Sequence, residues 1–157
     1  MDIETVETAT LPILYVRQTT SMEPEEIGKA MGVAFGTLGA FIGRAGVKPT
    51  GPAVAVYRNM REGGMDVDVG FPASPEDIGK AEGDVQAGEI PACKALKAVH
   101  HGPYPKLRET WGAVHAKMKE DGHPMPSFGW EVYLSDPQNT APEDLLTEVY
   151  MPIVSTS

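Results

Sequence analysis

A single cysteine, Cys93, leaves this 157-residue chain without an internal disulfide and without a thiolate partner for a structural zinc site, as suits a reducing cytoplasm. Apolar residues never run uninterrupted for the roughly 18 positions that a membrane-spanning helix needs, so no membrane association is expected. The start of the chain is acidic and polar, lacking the basic and apolar segments of an export signal. Basic residues are few: 13 Lys and Arg against 22 Asp and Glu give a net charge of -9, which repels phosphate backbones and argues against direct DNA or RNA binding. No glycine-rich phosphate loop, serine or cysteine triad, or metal-ligand spacing occurs, so neither a cofactor nor a metal is expected. What remains is an ordinary soluble composition, 41% apolar and 22% charged, in a chain of single-domain length.

The chain does contain an internal repeat. Leu11-Pro12 before the strand-like Ile13-Leu14-Tyr15-Val16 is echoed by Ile90-Pro91 before Ala92-Cys93-Lys94-Ala95-Leu96. A helical pattern follows each. Ile27, Met31, Phe35, Leu38 and Ile42 recur at helical spacing until Gly46, and Leu107, Trp111, Val114 and Met118 do so until Gly122. Two strands then end in Tyr57 and Tyr133, and a last pair matches Asp68-Val69-Gly70-Phe71-Pro72 to Glu148-Val149-Tyr150-Met151-Pro152. The expectation is an α+β fold in one domain: two strand-helix-strand-strand modules, at about 8–73 and 84–154 with a linker at about 74–83. Two helices then lie on an antiparallel sheet with pseudo-twofold symmetry. A small-molecule pocket is expected where the halves meet.

Aligning Tyr57 with Tyr133 sets Ala55 against Glu131, so one charge breaks the symmetry. Glu131 sits in the otherwise apolar strand Phe128-Gly-Trp-Glu-Val-Tyr-Leu134 and shares a face with Tyr133. A central strand glutamate must reach solvent, find an internal partner or serve a site. In a site it would hold a cation or take a proton from water.

Several segments resemble the GyrI-like small-molecule-binding family, which has the SOUL/gyrase-inhibitor-like fold. They are His101-Gly102-Pro103-Tyr104, Trp130-Glu131-Val132-Tyr133 with Ser135-Asp136-Pro137, and Thr147-Glu148-Val149-Tyr150-Met151-Pro152. The resemblance implies an aromatic ligand pocket with Glu131 as its central carboxylate, facing lipophilic cations in the drug-sensing members. It implies a wall residue at Tyr150; Trp111, Tyr104, Tyr57, Tyr133 and Phe71 are candidates by position. With no helix-turn-helix in the sequence, the expectation is a free-standing member that binds a hydrophobic organic molecule. Some free-standing relatives are hydrolases of cyclopropane-bearing natural products in which the glutamate activates water, with a tyrosine or His101 assisting here. Others are gyrase-inhibitory proteins, so a protein partner or a second copy stays open.

Three features carry less. Gly28, Gly32, Gly36, Gly39 and Gly43 fall on one helix face, which suggests close approach of another backbone, the sheet in preference to a second subunit. His100 and His101 point to opposite strand faces and make a poor chelating pair. Cys93 reads as a small buried apolar residue in the strand.

Overall fold

The computed structural model describes residues 3–124, 126–135 and 139–153. In chain order the elements are β1 (Ile3–Glu7), β2 (Leu11–Thr20), α1 (Pro24–Ala45), β3 (Val54–Arg61), β4 (Gly64–Pro72), α2 (Pro75–Ile78), β5 (Gln86–Ile90), β6 (Lys94–His101), α3 (Leu107–Glu120), β7 (Phe128–Tyr133) and β8 (Leu146–Pro152). All eight strands form one antiparallel sheet in the order β1-β6-β8-β7-β3-β4-β2-β5. That order is a palindrome of the two expected modules, β2-α1-β3-β4 and β6-α3-β7-β8, joined at the central β3/β7 pair.

The helix ends follow the repeat. Gly46 and Gly122 both adopt left-handed φ, at 68° and 75°, the conformation that glycine reaches without the cost a Cβ imposes. The Gly46 N–H then donates to Ile42 O, and His123 N–H to Met118 O, satisfying carbonyls at the two helix ends.

The outer strands depart from expectation. The acidic start supplies β1, which pairs with β6 of the second module, and β5 pairs with β2 of the first. Each module's edge is therefore covered by the strand that precedes the other module, so the sheet ends at the short strands β1 and β5. Ile90-Pro91 does not begin a strand: Ile90 ends β5 opposite Leu11, and Pro91, having no N–H, interrupts the ladder before β6 starts at Lys94. The linker also folds locally, as Ser74 Oγ accepts the Asp77 N–H and caps the short α2. Cys93 lies in the β5–β6 connection and is half-buried. There its backbone bonds Thr8 of the β1–β2 connection, so the two crossing connections clasp each other.

One face of the sheet carries the two long helices, α1 and α3. Beneath α1 lie Leu14, Val16, Val67, Val69 and Phe71 with Ala34, Leu38 and Phe41; beneath α3 lie Leu96, Ala98, Val149 and Met151 with Val114 and Met118. His100 is buried on this face between Thr110 Oγ1 at 2.7 Å and the Pro103 carbonyl at 3.1 Å, tying β6 to α3. His101 points outward and is exposed. The opposite face packs Ile13, Val54, Val56, Ile90 and Trp130 with Leu11 at the start of β2 and Cys93 in the β5–β6 connection.

The glycine row of α1 corrects the close-packing expectation. A Cβ built on Gly28, Gly32, Gly36, Gly39 or Gly43 meets no atom within 4 Å, because this face turns away from the sheet that Ala34, Leu38 and Phe41 contact. Gly39→Ala should therefore stabilise the monomer by about 1 kcal/mol, the intrinsic helix preference, as read by urea denaturation. Destabilisation would mean that another backbone does lie against this face.

Candidate functional site

In the central β3/β7 pair Ala55 lies directly opposite Glu131, so the two positions matched by the repeat meet on the pseudo-twofold axis. Two residues beyond them along each strand stand Tyr57 and Tyr133, which flank the axis on the helix-bearing face. A carboxylate from one copy thus reaches the phenols of both. Tyr57 Oη donates to Glu131 Oε1 at 2.7 Å and Tyr133 Oη donates to the same oxygen at 2.6 Å. Trp111 Nε1 on α3 donates to Oε2 at 2.6 Å. A second glutamate at position 55 would set two carboxylates about 5 Å apart on the axis, so the methyl of Ala55 is what a single buried charge requires.

Glu131 is 2% exposed, and all three of its donors are neutral. No cation balances it among the described residues. The arrangement places a negative charge at low solvent access with its hydrogen bonds satisfied and its Coulombic demand unmet.

Trp111 reaches the carboxylate because β7 is flat beneath it. A Cβ at Gly129 would stand 3.0 Å from Trp111 Cη2 and 3.1 Å from Tyr150 O, so the indole rests on a position where a side chain would force it to move. The ring meets Tyr57 edge-on at 6.0 Å, while Tyr133 meets Tyr104 at 5.7 Å and Phe35 at 6.4 Å, also edge-on. These five rings cluster around Glu131 from four elements, α1, β3, α3 and β7, and the segment before α3.

Above them, between α1 and α3, lies a cavity of about 1490 Å³. Ile27, Gly28, Met31, Gly32 and Phe35 of α1 form one wall, and Leu107, Arg108, Trp111, Gly112 and His115 of α3 form the other. Glu131, Tyr57, Tyr133 and Gly129 line its floor, and Met22, Met65 and Met151 contribute flexible apolar surface. Gly28 and Gly32 widen the cavity, a role the sequence pattern did not indicate.

Of the residues expected in the pocket, Glu131, Trp111, Tyr57, Tyr133 and Tyr104 come together, and two do not. Tyr150 is opposite Trp130 in the β7/β8 register and stacks on it at 4.9 Å, which puts it on the face away from Glu131. Its hydroxyl donates to Glu148 instead, at 3.1 Å. Phe71 is on the correct face but packs in the core beneath α1, lateral to the cavity. His101, exposed at the end of β6, is not among the residues lining the cavity. Phe35, the methionines, Arg108 and His115 join the site without a signal in the sequence. Helical spacing marks the α1 and α3 faces but not which part of each face remains uncovered. Asp136 and Pro137 lie outside the described residues.

Burial and the negative charge of Glu131 push the Tyr57 and Tyr133 phenols well above their ordinary value of 10.0. A phenol whose folded value is raised contributes stability that is complete below its unfolded value and is lost as pH rises past it. Both phenols should stay protonated in the folded protein at about pH 11, and Tyr57→Phe should leave the native phenolate absorbance there unchanged. A drop in that absorbance would show that Tyr57 ionises normally and that the site is wet.

Residues 1–154 match the GyrI-like family, described as a small molecule binding domain. No curated protein sequence matches the chain. The solved EcmrR C-terminal domain is similar over 99% of this chain and 98% of its own, with TM-score 0.82 and 21% identity. SAV2435 bound to tetraphenylphosphonium is similar at TM-score 0.71 and 15% identity, covering 98% of this chain and 94% of that one. A hydrolase encoded by lin2189 from Listeria innocua reaches TM-score 0.62 at 15% identity, over 97% and 91%. The structures share the fold, the sequence match spans nearly the whole chain, and the protein therefore belongs to the GyrI-like small-molecule-binding domain family.

Proposed function

We propose that the cavity between α1 and α3 binds bulky hydrophobic organic molecules, with Glu131 selecting those that carry a positive charge. The observation that carries this reading is a carboxylate 2% exposed, held only by neutral donors, on the floor of an aromatic and methionine-lined cavity. A delocalised organic cation costs little to desolvate, would supply the missing counter-charge, and would meet the electron-rich ring faces. The volume exceeds the roughly 300–1,000 Å³ of most ligand pockets, which suits large or variable ligands. The cation-bound SAV2435 structure adds support by likeness of fold.

The test compares two probes of nearly one shape, methyltriphenylphosphonium and neutral triphenylphosphine oxide, by calorimetry and thermal shift. The cation should bind at least ~10-fold more tightly, a difference of about 1.4 kcal/mol. Equal affinities would remove the counter-charge role of Glu131, and no binding of either would remove the pocket. Product analysis of the same mixtures, extended to electrophilic natural products, separates binding from turnover. Conversion that is lost in Glu131→Gln would make the same carboxylate a general base.

A further inference from the structure

The cavity carries one fixed positive charge as well as the negative one. Among the residues that line it, the charged or titratable groups other than tyrosines are Glu131 on the floor and Arg108 and His115 on α3. Partial burial holds the His115 imidazole below its ordinary value of 6.5, so near neutral pH it is an uncharged hydrogen-bonding group. Arg108 is exposed on α3, three residues before Trp111, and its guanidinium forms no ion pair among the described residues. By contrast, Arg17, Arg44 and Arg58 are each paired with a carboxylate. Arg108 is thus the one Lys or Arg side chain in the cavity lining, in a chain with net charge -9.

Resting on the pocket reading above, we propose that Arg108 sets a second specificity: the preferred ligands are amphipathic zwitterions, with a cationic aromatic body and an acidic group directed to the cavity mouth. Trp111 fixes the geometry. Its indole N–H is on Glu131 Oε2, and Arg108 stands three residues, about 4.5 Å, earlier along the same helix. Glu131 is 2% exposed and Arg108 is exposed, so the two charges lie at different depths in the cavity. A cation on the floor satisfies Glu131, and a carboxylate, sulfonate or phosphate carried on the same molecule can accept the forked guanidinium donors. The large volume allows both contacts in one ligand. A ligand that is only cationic leaves Arg108 in water, and one that is only anionic meets Glu131 unfavourably.

A rhodamine free acid, which is a zwitterion at neutral pH, and its ethyl ester, which is a cation, differ at the acidic group alone and are read by fluorescence anisotropy. Wild type should bind the acid about five- to tenfold more tightly than the ester, with the preference shrinking as salt is raised because Arg108 is exposed. Arg108→Gln should abolish the preference while leaving ester affinity within about twofold, and Arg108→Lys should keep part of it. Equal binding of acid and ester by wild type, or an unchanged preference in Arg108→Gln, overturns this proposal and leaves the pocket reading standing. If neither dye binds, the pocket reading falls and this one with it.

Discussion

Glu131→Gln is expected to weaken methyltriphenylphosphonium binding about 30-fold or more while changing triphenylphosphine oxide binding by less than about threefold. Removing one partner of a desolvated charge pair costs about 2 kcal/mol at least, and the neutral probe has no charge to lose. The substitution is a clean one because the network can rearrange around the amide. Trp111 Nε1–H only donates, so the carbonyl oxygen of the new amide must face it and the NH₂ must face the tyrosines. The Tyr57 and Tyr133 hydroxyls can rotate from donating to accepting. The fold should therefore survive, with a melting temperature at or above that of wild type, since an uncompensated buried charge has been removed. Parallel titrations of both probes against both proteins check this. Equal losses for the two probes would show that the mutation had changed the cavity's shape and not its charge.

The largest effect on stability should come from the opposite face of the sheet, at Asp68. This carboxylate is 1% exposed and accepts Arg17 Nε and Nη2 at 2.6 and 2.9 Å and Arg58 Nε at 2.8 Å. It joins β2, β3 and β4 through their side chains, as Lys97 and Glu148 at 2.9 Å join β6 and β8 in the other copy. Asp68→Ala leaves two guanidinium groups facing each other across a buried gap. Breaking a fully buried pair costs about 3–5 kcal/mol, but Arg17 and Arg58 side chains are 39% and 27% exposed and can turn to water. A loss of about 2–3 kcal/mol in urea denaturation is expected, with an unchanged slope. Because Asp68 and Glu131 are on opposite faces, probe affinity in the folded variant should be unaltered. A loss below about 1 kcal/mol would mean that the network is solvated and mainly decorative.

How much of the site could be read from the sequence depended on what fixed each residue's position. Glu131, Tyr57 and Tyr133 were legible because the repeat aligned them and strand alternation put them on one face, both local properties of the chain. Tyr150 was misplaced because a motif gives residue identity and not register. Only the pairing of Trp130 with Tyr150 reveals which way the ring faces. Phe71 had the right face and the wrong lateral position, which depends on where α1 crosses the sheet. The glycine row pointed to close packing because glycine is costly in helices. Whether such a face meets a backbone or open space depends on neighbours far away in sequence, and here it is open.

Periodicity, turn chemistry and repeat spacing act over short stretches, so the duplication, the α+β class, the two helix ends at glycines and the single charge on the symmetry axis were legible in the chain itself. The assembled fold set the rest: β1 and β5 cover each other's modules, a cavity lies between α1 and α3, and the exposed Arg108 lines it. Strands as short and polar as Ile3–Glu7 and Gln86–Ile90 contain no pattern that names a partner. Their pairing is set by which sheet edge would otherwise remain open, a property of the assembled fold and not of any segment.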